Sequence, residues 1–245
     1  MRALVSEQKF SELLELRNRL VATDSTVGQV FVPVGAVEPA PVRILFVGQA
    51  SYGELLDFEP ASVEEAAGAY ADQAKKNIDT GLTFWGCCRA ICDQVLLSIG
   101  ADAYLDRREC VIGWSNLAKI GLSEKRNPTG HILKEQSELC INSLKEEIRT
   151  MKPDATVLLT GHYGQEEILD IAFGLEGWHN NVRGKDRVAT HLHPMFGLLL
   201  WAYHPLDMQF RGIYRDVVAF VAGSIAGTIT GRKTTEGRYT ILRTN

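Results

Sequence analysis

The chain contains 245 residues, of which 45% are hydrophobic and 23% are charged, and its formal net charge is −4. This composition is typical of a globular protein with one large domain, and the acidic balance gives no sign of a general polyanion-binding surface. The longest apolar stretches, such as Phe196–Tyr203, are too short to cross a bilayer, and the first residues lack the apolar core of a signal peptide. We therefore predict a cytoplasmic protein without membrane partners.

The first half of the chain combines helical and strand patterns. Apolar residues at helical spacing predict an N-terminal helix over Ser6–Val21. The continuous apolar run Arg43–Val47 predicts a centrally placed parallel strand. Ser62 is suited to cap an alanine-rich helix that continues to about Lys76, and another helix is predicted over Phe84–Ile99.

The second half repeats this alternation. Three further core strands are predicted, at Cys110–Trp114, Ala155–Thr160 and Leu198–Tyr203. Helices are predicted over Ile132–Met151, Gln165–Phe173 and Met208–Val221, with an edge strand near Val188–Leu192 and a C-terminal tail over about 228–245. Strands alternating with helices predict an α/β protein whose mainly parallel sheet is covered on both faces. No linker divides the chain, so we expect a single domain over residues 1–245.

Two sets of residues are candidate metal ligands: the five cysteines and a pair of histidines in one predicted strand. Of the five cysteines, Cys87, Cys88 and Cys92 crowd one predicted helix start. An odd count without repeated spacing argues against a disulfide framework and favours buried thiols that pack as small hydrophobes. His191 and His193 share one face of a strand, but no third ligand follows at a clear spacing. We predict no metal, no iron–sulfur cluster and no cofactor.

Basic residues are in local excess in three runs. These are Lys119–Arg126, Arg183–Arg187 and Arg232–Arg243. Each run is interpreted first as a solvated loop, and none demands a polyanionic partner.

Polar or turn residues follow each of the four predicted core strands. The first strand runs into a turn over Gly48–Gly53, the second into Ser115-Asn116, the third into Gly161-His162 and the last into His204-Pro205. In open α/β sheets, ligands bind outside the carboxyl ends of the strands. We therefore expect an amide, an imidazole and a backbone-rich turn to meet around one small planar ligand.

These strand-end segments resemble those of the uracil-DNA glycosylase superfamily, in the same order along the chain. The matching pieces are Ile44–Gly53, Phe84-Trp85, Trp114–Leu117, Leu144–Pro153 leading to Val157–Gly161, and Tyr203–Pro205. Together they cover roughly residues 42–224. The resemblance implies a three-layer α/β/α sandwich with a central, mainly parallel sheet of four strands. It also implies hydrolysis of the N-glycosidic bond of a uracil or damaged base flipped from DNA, with DNA and a nucleobase as partners.

The resemblance assigns catalytic roles around an attacking water. The turn that begins with Gly48 matches the motif that positions this water. Gln49, Glu54 and Asp57 are candidates to orient it in place of the family's aspartate. His204 matches the histidine that stabilises charge on the departing base.

Other residues are assigned to base binding by the same resemblance. Phe84 matches the aromatic ring that stacks on the base, and Asn116 matches the amide that binds its edge. Tyr52 is placed to screen the base by size, and Pro205 completes the turn that enters the minor groove. Each has a structural alternative: Phe84 as a core residue, and the others as ordinary turn residues.

The first motif departs from the family at Ala50, which stands where the best-known branch has an aspartate that supports hydrolysis. Loss of a carboxylate predicts a slower enzyme or none, because glutamine cannot accept the proton of water. Leu206-Asp207-Met208 also replaces the usual serine-rich sequence, although Leu206 or Met208 remains available as an apolar wedge. The alternative function is therefore an inactive relative that binds a nucleobase, a nucleotide, DNA or another small molecule in the same pocket.

Overall fold

The structure, a computed structural model, describes residues 1–50, 56, 58–81, 83–123, 127–128, 130–161, 169, 173–174 and 188–231. The strands found in these residues are β1 (Arg2–Ala3), β2 (Val27–Val30), β3 (Val34–Gly35), β4 (Ile44–Gly48), β5 (Ile112–Asn116), β6 (Ile120–Leu122), β7 (Ala155–Leu158), β8 (Val188–His193) and β9 (Gly197–Ala202). The helices found there are α1 (Glu7–Val21), α2 (Val63–Ile78), α3 (Thr83–Ser98), α4 (Gly130–Met151), α5 (Pro205–Phe210) and α6 (Tyr214–Ile229).

The main sheet of the described residues has seven strands in the order β1-β3-β5-β4-β7-β9-β8. Its four central strands, β5, β4, β7 and β9, pair in parallel, while β1, β3 and β8 pair antiparallel at the two sides. The prediction of an α/β protein with a mainly parallel sheet is confirmed. The predicted sheet of four strands was too small, because the two-residue strands β1 and β3 were missed. The edge strand predicted near Val188–Leu192 is β8, which joins the same sheet antiparallel.

The register of the parallel strands sets the position of their carboxyl ends. Gly48 pairs with Asn116 at the end of β4 and β5, and Leu158 pairs with Trp201 near the end of β7 and β9. All residues of β4, β5 and β7 are buried, and their sequences are mainly apolar except for Ser115-Asn116 at the end of β5 and Thr156 in β7. The segments that follow the four strands therefore begin at the same edge of the sheet.

Helices cover both faces of this sheet. Neighbouring side chains of a strand point to opposite faces, so two adjacent residues of β5 identify the two coverings. The Trp114 ring packs edge-on against Trp85 of α3, with 4.9 Å between ring centroids. The next residue, Ser115, donates its hydroxyl to Glu147 of α4 at 2.5 Å. One face of the sheet thus packs on α3 and the other on α4.

Two predicted element boundaries differ from the structure. The strand predicted over Cys110–Trp114 begins two residues later, because Arg108–Cys110 forms a single 3₁₀ turn. The helix predicted over Met208–Val221 is two helices, α5 and α6, separated at Gly212, whose φ of +67° is a left-handed conformation that ends a helix. The helix predicted over Gln165–Phe173 lies mostly outside the described residues, as does the predicted tail from residue 232 onward.

The cysteines are free, and four of the five are buried. Burial raises the pKa of the Cys87 and Cys92 thiols to about 12 and that of Cys140 to about 11. These groups stay protonated at neutral pH, as expected for thiols that serve packing. In the described part of the chain, no helix is both long and apolar enough to span a membrane.

The N-terminus of α2 gives a first test of the fold. Ser62 accepts a hydrogen bond from the backbone N–H of Glu65 at 3.2 Å. Ser62→Ala is expected to lower the free energy of unfolding by about 1 kcal/mol in urea denaturation, because that N–H loses its partner. Ser62→Asp keeps an acceptor and should stay near the wild-type value. An equal loss in both variants would show that the cap is not the cause.

Candidate functional site

A cavity of 620 Å³ lies at the carboxyl ends of the central strands. Its lining combines residues from the strand ends, from the start of α3 and from the start of α5. The lining residues are Gly48, Gln49, Ala50, Thr83, Phe84, Trp85, Trp114, Asn116, Asn127, His204, Leu206 and Asp207. The volume is within the range of small-molecule sites in proteins.

The last residues of β4 and β5 shape one wall of this cavity. Asn116 is only 2% exposed, and its Oδ1 atom lies 2.7 Å from the point that a Cβ on Gly48 would occupy. The Phe84 ring approaches the same point to 3.3 Å. The missing side chain of Gly48 therefore leaves the space in which an amide and an aromatic ring come together.

Gln49 has a structural environment that the sequence did not predict. Its Nε2 donates to the Thr160 carbonyl at 2.7 Å, and its Oε1 accepts from Asn127 Nδ2 at 2.7 Å. The backbone carbonyl of Gln49 also accepts from the N–H of Ala118 at 2.8 Å. The side chain thus ties the turn after β4 to the end of β7, which fixes the turn and leaves Gln49 little freedom to orient water.

His204 caps the N-terminus of α5. Its Nδ1 accepts a hydrogen bond from the backbone N–H of Leu206 at 3.4 Å. Burial lowers the pKa of this imidazole, and the opposing attraction of the Asp207 carboxylate is the smaller effect. At neutral pH the ring is therefore uncharged, with its proton on Nε2, which makes His204 a neutral hydrogen-bond donor in the cavity wall.

Asp207 brings a carboxylate to the same cavity. Its Oδ2 lies 3.6 Å from the point that a Cβ on Gly161 would occupy, and the backbone nitrogen of His204 lies 3.0 Å from that point. Gly161 has a φ of +54° and donates its N–H to the Ala202 carbonyl at 3.1 Å. A side chain at this position would push the start of α5 away from the sheet, so glycine permits the close approach.

A buried ion pair stands behind Asn116. Lys119 Nζ lies 2.8 Å from Glu147 Oε1, and both side chains are fully buried. The ammonium group also donates to Ser115 Oγ at 2.8 Å and to the backbone carbonyl of Asn116, so all three of its protons have acceptors. Ser143 donates to the same carboxylate at 2.8 Å. This network anchors the end of β5 to α4, directly behind the cavity wall.

The prediction that Lys119 belongs to a solvated basic loop was wrong. The residue is 0% exposed, because it lies between Leu117-Ala118 and the strand β6. The sequence does indicate this burial, since Lys119 is an isolated charged residue within the apolar stretch Leu117–Leu122. Glu147 likewise lies at helical spacing between Leu144 and Met151, on the apolar face of α4. The basic runs at Arg183–Arg187 and Arg232–Arg243 lie outside the described residues.

The aromatic rings behind the cavity form a packed floor. Trp114 contacts Phe31, Tyr70 and Trp85 edge-on, with ring centroids separated by 4.7, 5.9 and 4.9 Å. Phe84 extends this cluster, 5.5 Å from Trp85 at an angle of 87°. Trp85 is buried while Phe84 is half-buried, so the first of the two neighbouring aromatics is the one available to a ligand.

Six of the residues predicted for the site line this single cavity: Gly48, Gln49, Ala50, Phe84, Asn116 and His204. Pro205 is not in the lining; it is buried in the first turn of α5, where its fixed φ suits a helix start. Tyr52, Glu54 and Asp57 lie outside the described residues. Asp207 and Asn127 line the cavity but were not predicted as site residues, because their approach to Gly161 and Gln49 depends on contacts between distant segments.

The described lining offers hydrogen-bonding groups rather than a metal-binding set. Among the described residues, no group of three or more His, Cys, Asp and Glu side chains is arranged to hold a metal ion. An amide, a neutral imidazole, a carboxylate and a half-buried aromatic ring suit a flat heterocycle with polar edges.

No protein-family model matches the chain, and no curated protein matches its sequence.

Proposed function

We propose that the chain is a uracil-DNA-glycosylase-like protein that holds a nucleobase flipped from DNA in this cavity and hydrolyses its N-glycosidic bond. The observation that carries the proposal is that Phe84, Asn116 and His204 line one cavity, although they are distant in the sequence. The proposal includes the finer architecture of that family, a three-layer α/β/α sandwich built around the four parallel strands.

Each of the three residues has a role that its environment supports. The half-buried Phe84 ring offers a face for stacking, which typically contributes about 1 to 3 kcal/mol per base. Asn116 supplies both a donor and an acceptor to the edge of a pyrimidine. His204, neutral and protonated on Nε2, donates to a carbonyl oxygen whose negative charge grows as the base leaves.

A second candidate function is base binding without hydrolysis. It is favoured by Ala50, which offers no carboxylate at the position of the family's aspartate. The two candidates share the cavity and differ only in whether an abasic product forms.

The test measures binding and base release separately. Affinity for free uracil is measured by calorimetry, and release is measured in single-turnover reactions with oligonucleotides that contain uracil or hypoxanthine. Asn116→Ala is expected to weaken uracil binding at least tenfold, because it removes the groups that bind the base edge. His204→Ala is expected to leave uracil affinity within about threefold and to slow release at least tenfold, because charge on the base develops only in the transition state.

Two surface variants of the same residue types serve as controls. Asn142 and His131 are exposed on α4 and lie outside the cavity lining, so Asn142→Ala and His131→Ala should match the wild type. Uracil binding without abasic product from either oligonucleotide would select the second candidate function. Binding and release that are unaffected by the Asn116 and His204 substitutions would reject both.

A further inference from the structure

The cavity contains one carboxylate in its described lining, and it comes from the side opposite to the first motif. Ala50 follows β4, whereas Asp207 lies in the first turn of α5, after β9. The cavity therefore lacks a carboxylate at the position that the family resemblance assigns, but it has one at the start of α5.

Contacts at the end of β7 link the segment that carries Ala50 to the segment that carries Asp207. Gln49, the neighbour of Ala50, is bonded through Nε2 to the Thr160 carbonyl at 2.7 Å. The next residue, Gly161, is the one whose missing side chain leaves room for Asp207 Oδ2. The turn that carries Ala50 and the helix start that carries Asp207 thus meet across Thr160 and Gly161.

Within the described lining, the titratable side chains are His204 and Asp207 alone. Arg211, which directly follows α5, stacks over the Tyr203 ring, with 4.6 Å between its guanidinium carbon and the ring centroid. The cavity therefore pairs a carboxylate acceptor with a neutral imidazole donor, the two functions that a hydrolysis with a departing anion requires.

We propose that Asp207 is the catalytic carboxylate of this site and accepts the proton of the attacking water in place of the aspartate that Ala50 lacks. The inference rests on the proposed function. The water oxygen forms a bond to the sugar C1′, and the C1′–N bond breaks with its electron pair passing to the base nitrogen. One water proton passes to Asp207, the base anion is held by His204 Nε2–H, and the base takes up a proton from solvent as Asp207 returns its own.

Asp207→Asn tests this role while keeping the shape of the side chain. In single-turnover reactions with uracil and hypoxanthine oligonucleotides, we expect release to be at least 100-fold slower, within the range typical of general acid–base catalysis. Free-uracil affinity should stay within about threefold of the wild type.

Two further variants make the test specific. Asp72→Asn removes the same charge from an exposed position on α2, outside the cavity lining, and should match the wild type. Ala50→Asp, added to Asp207→Asn, should restore release at least tenfold, because it returns a carboxylate to the opposite side of the same water.

The possible failures are distinguishable. Wild-type rates of base release in Asp207→Asn would overturn the role of Asp207 and leave the proposed glycosylase function standing. Uracil binding without release by the wild type would also overturn it and leave base binding standing. If the wild type neither binds uracil nor releases a base, the proposed function fails together with this inference.

Discussion

Replacing Lys119 by methionine is expected to lower the free energy of unfolding by about 3 to 5 kcal/mol. The change removes the only ammonium partner that the described residues give to Glu147, and it leaves that carboxylate fully buried beside two serine hydroxyls. Removing one partner of a buried ion pair typically costs this much, because the other partner stays buried without an opposite charge beside it. Urea denaturation monitored by circular dichroism measures the change.

Two comparisons separate the loss of the buried pair from a general effect of the substitution. Arg2 forms an ion pair with Glu38 in which both side chains are more than 70% exposed, at 72% and 73%. Arg2→Met should therefore change the free energy of unfolding by less than about 1 kcal/mol. Lys119→Met combined with Glu147→Leu should be more stable than Lys119→Met alone, because no unpaired charge remains. If the double variant instead loses the sum of the two single effects, the pair is not coupled.

The parts of the fold that the sequence predicted have strong local signals. The continuous apolar runs at β4, β7 and β9 and the helical spacing in α1 and α4 specify their elements with few contributions from distant residues. Their boundaries agree with the structure to within one or two residues.

The missed elements are those whose existence depends on a partner. β3 consists of Val34-Gly35 and pairs with Gly113 and Trp114, about 80 residues away. β2 and β6 are similarly short and form their own two-stranded sheet. Segments of two to four residues have too little periodicity to be recognised, and tertiary pairing rather than local propensity makes them strands.

The sequence predicted the parts of the candidate site that depend on strand order and register, and it missed the parts that depend on contacts between distant side chains. Strand-end geometry alone brings Gly48 beside Asn116, since these residues pair in register. By contrast, the bonds of Gln49 to Thr160 and Asn127 depend on side chains that approach across long loops, so its tethered position was not foreseen. The burial of Lys119 with Glu147 had a visible signal in the sequence. Each is an isolated charged residue within an apolar pattern, and their opposite charges predict that they pair.

A methyl group at Gly48 is expected to reduce uracil affinity about 100-fold while leaving the protein folded. In Gly48→Ala, the new Cβ would stand 2.7 Å from Asn116 Oδ1 and 3.3 Å from the Phe84 ring. Ordinary contacts to carbon are about 3.5 Å, so the amide must retreat by roughly 0.8 Å and the ring must also shift. The two groups that we propose to bind the base are then displaced at once, and misplacements of about 1 Å at a site typically cost about 100-fold.

The stability effect should be small because the nearest atom belongs to the end of a side chain that can rotate. Gly68→Ala is the matched control: it adds the same methyl group at an exposed position of α2, where no atom lies within 4 Å of the new Cβ. This control should keep wild-type uracil affinity and gain about 0.5 to 1 kcal/mol of stability, since alanine is the better helix residue. Calorimetric titration with uracil and urea denaturation of both variants provide the comparison. A folded Gly48→Ala protein with wild-type uracil affinity would mean that the base does not bind between Asn116 and Phe84, because no ligand there could tolerate the displacement of both.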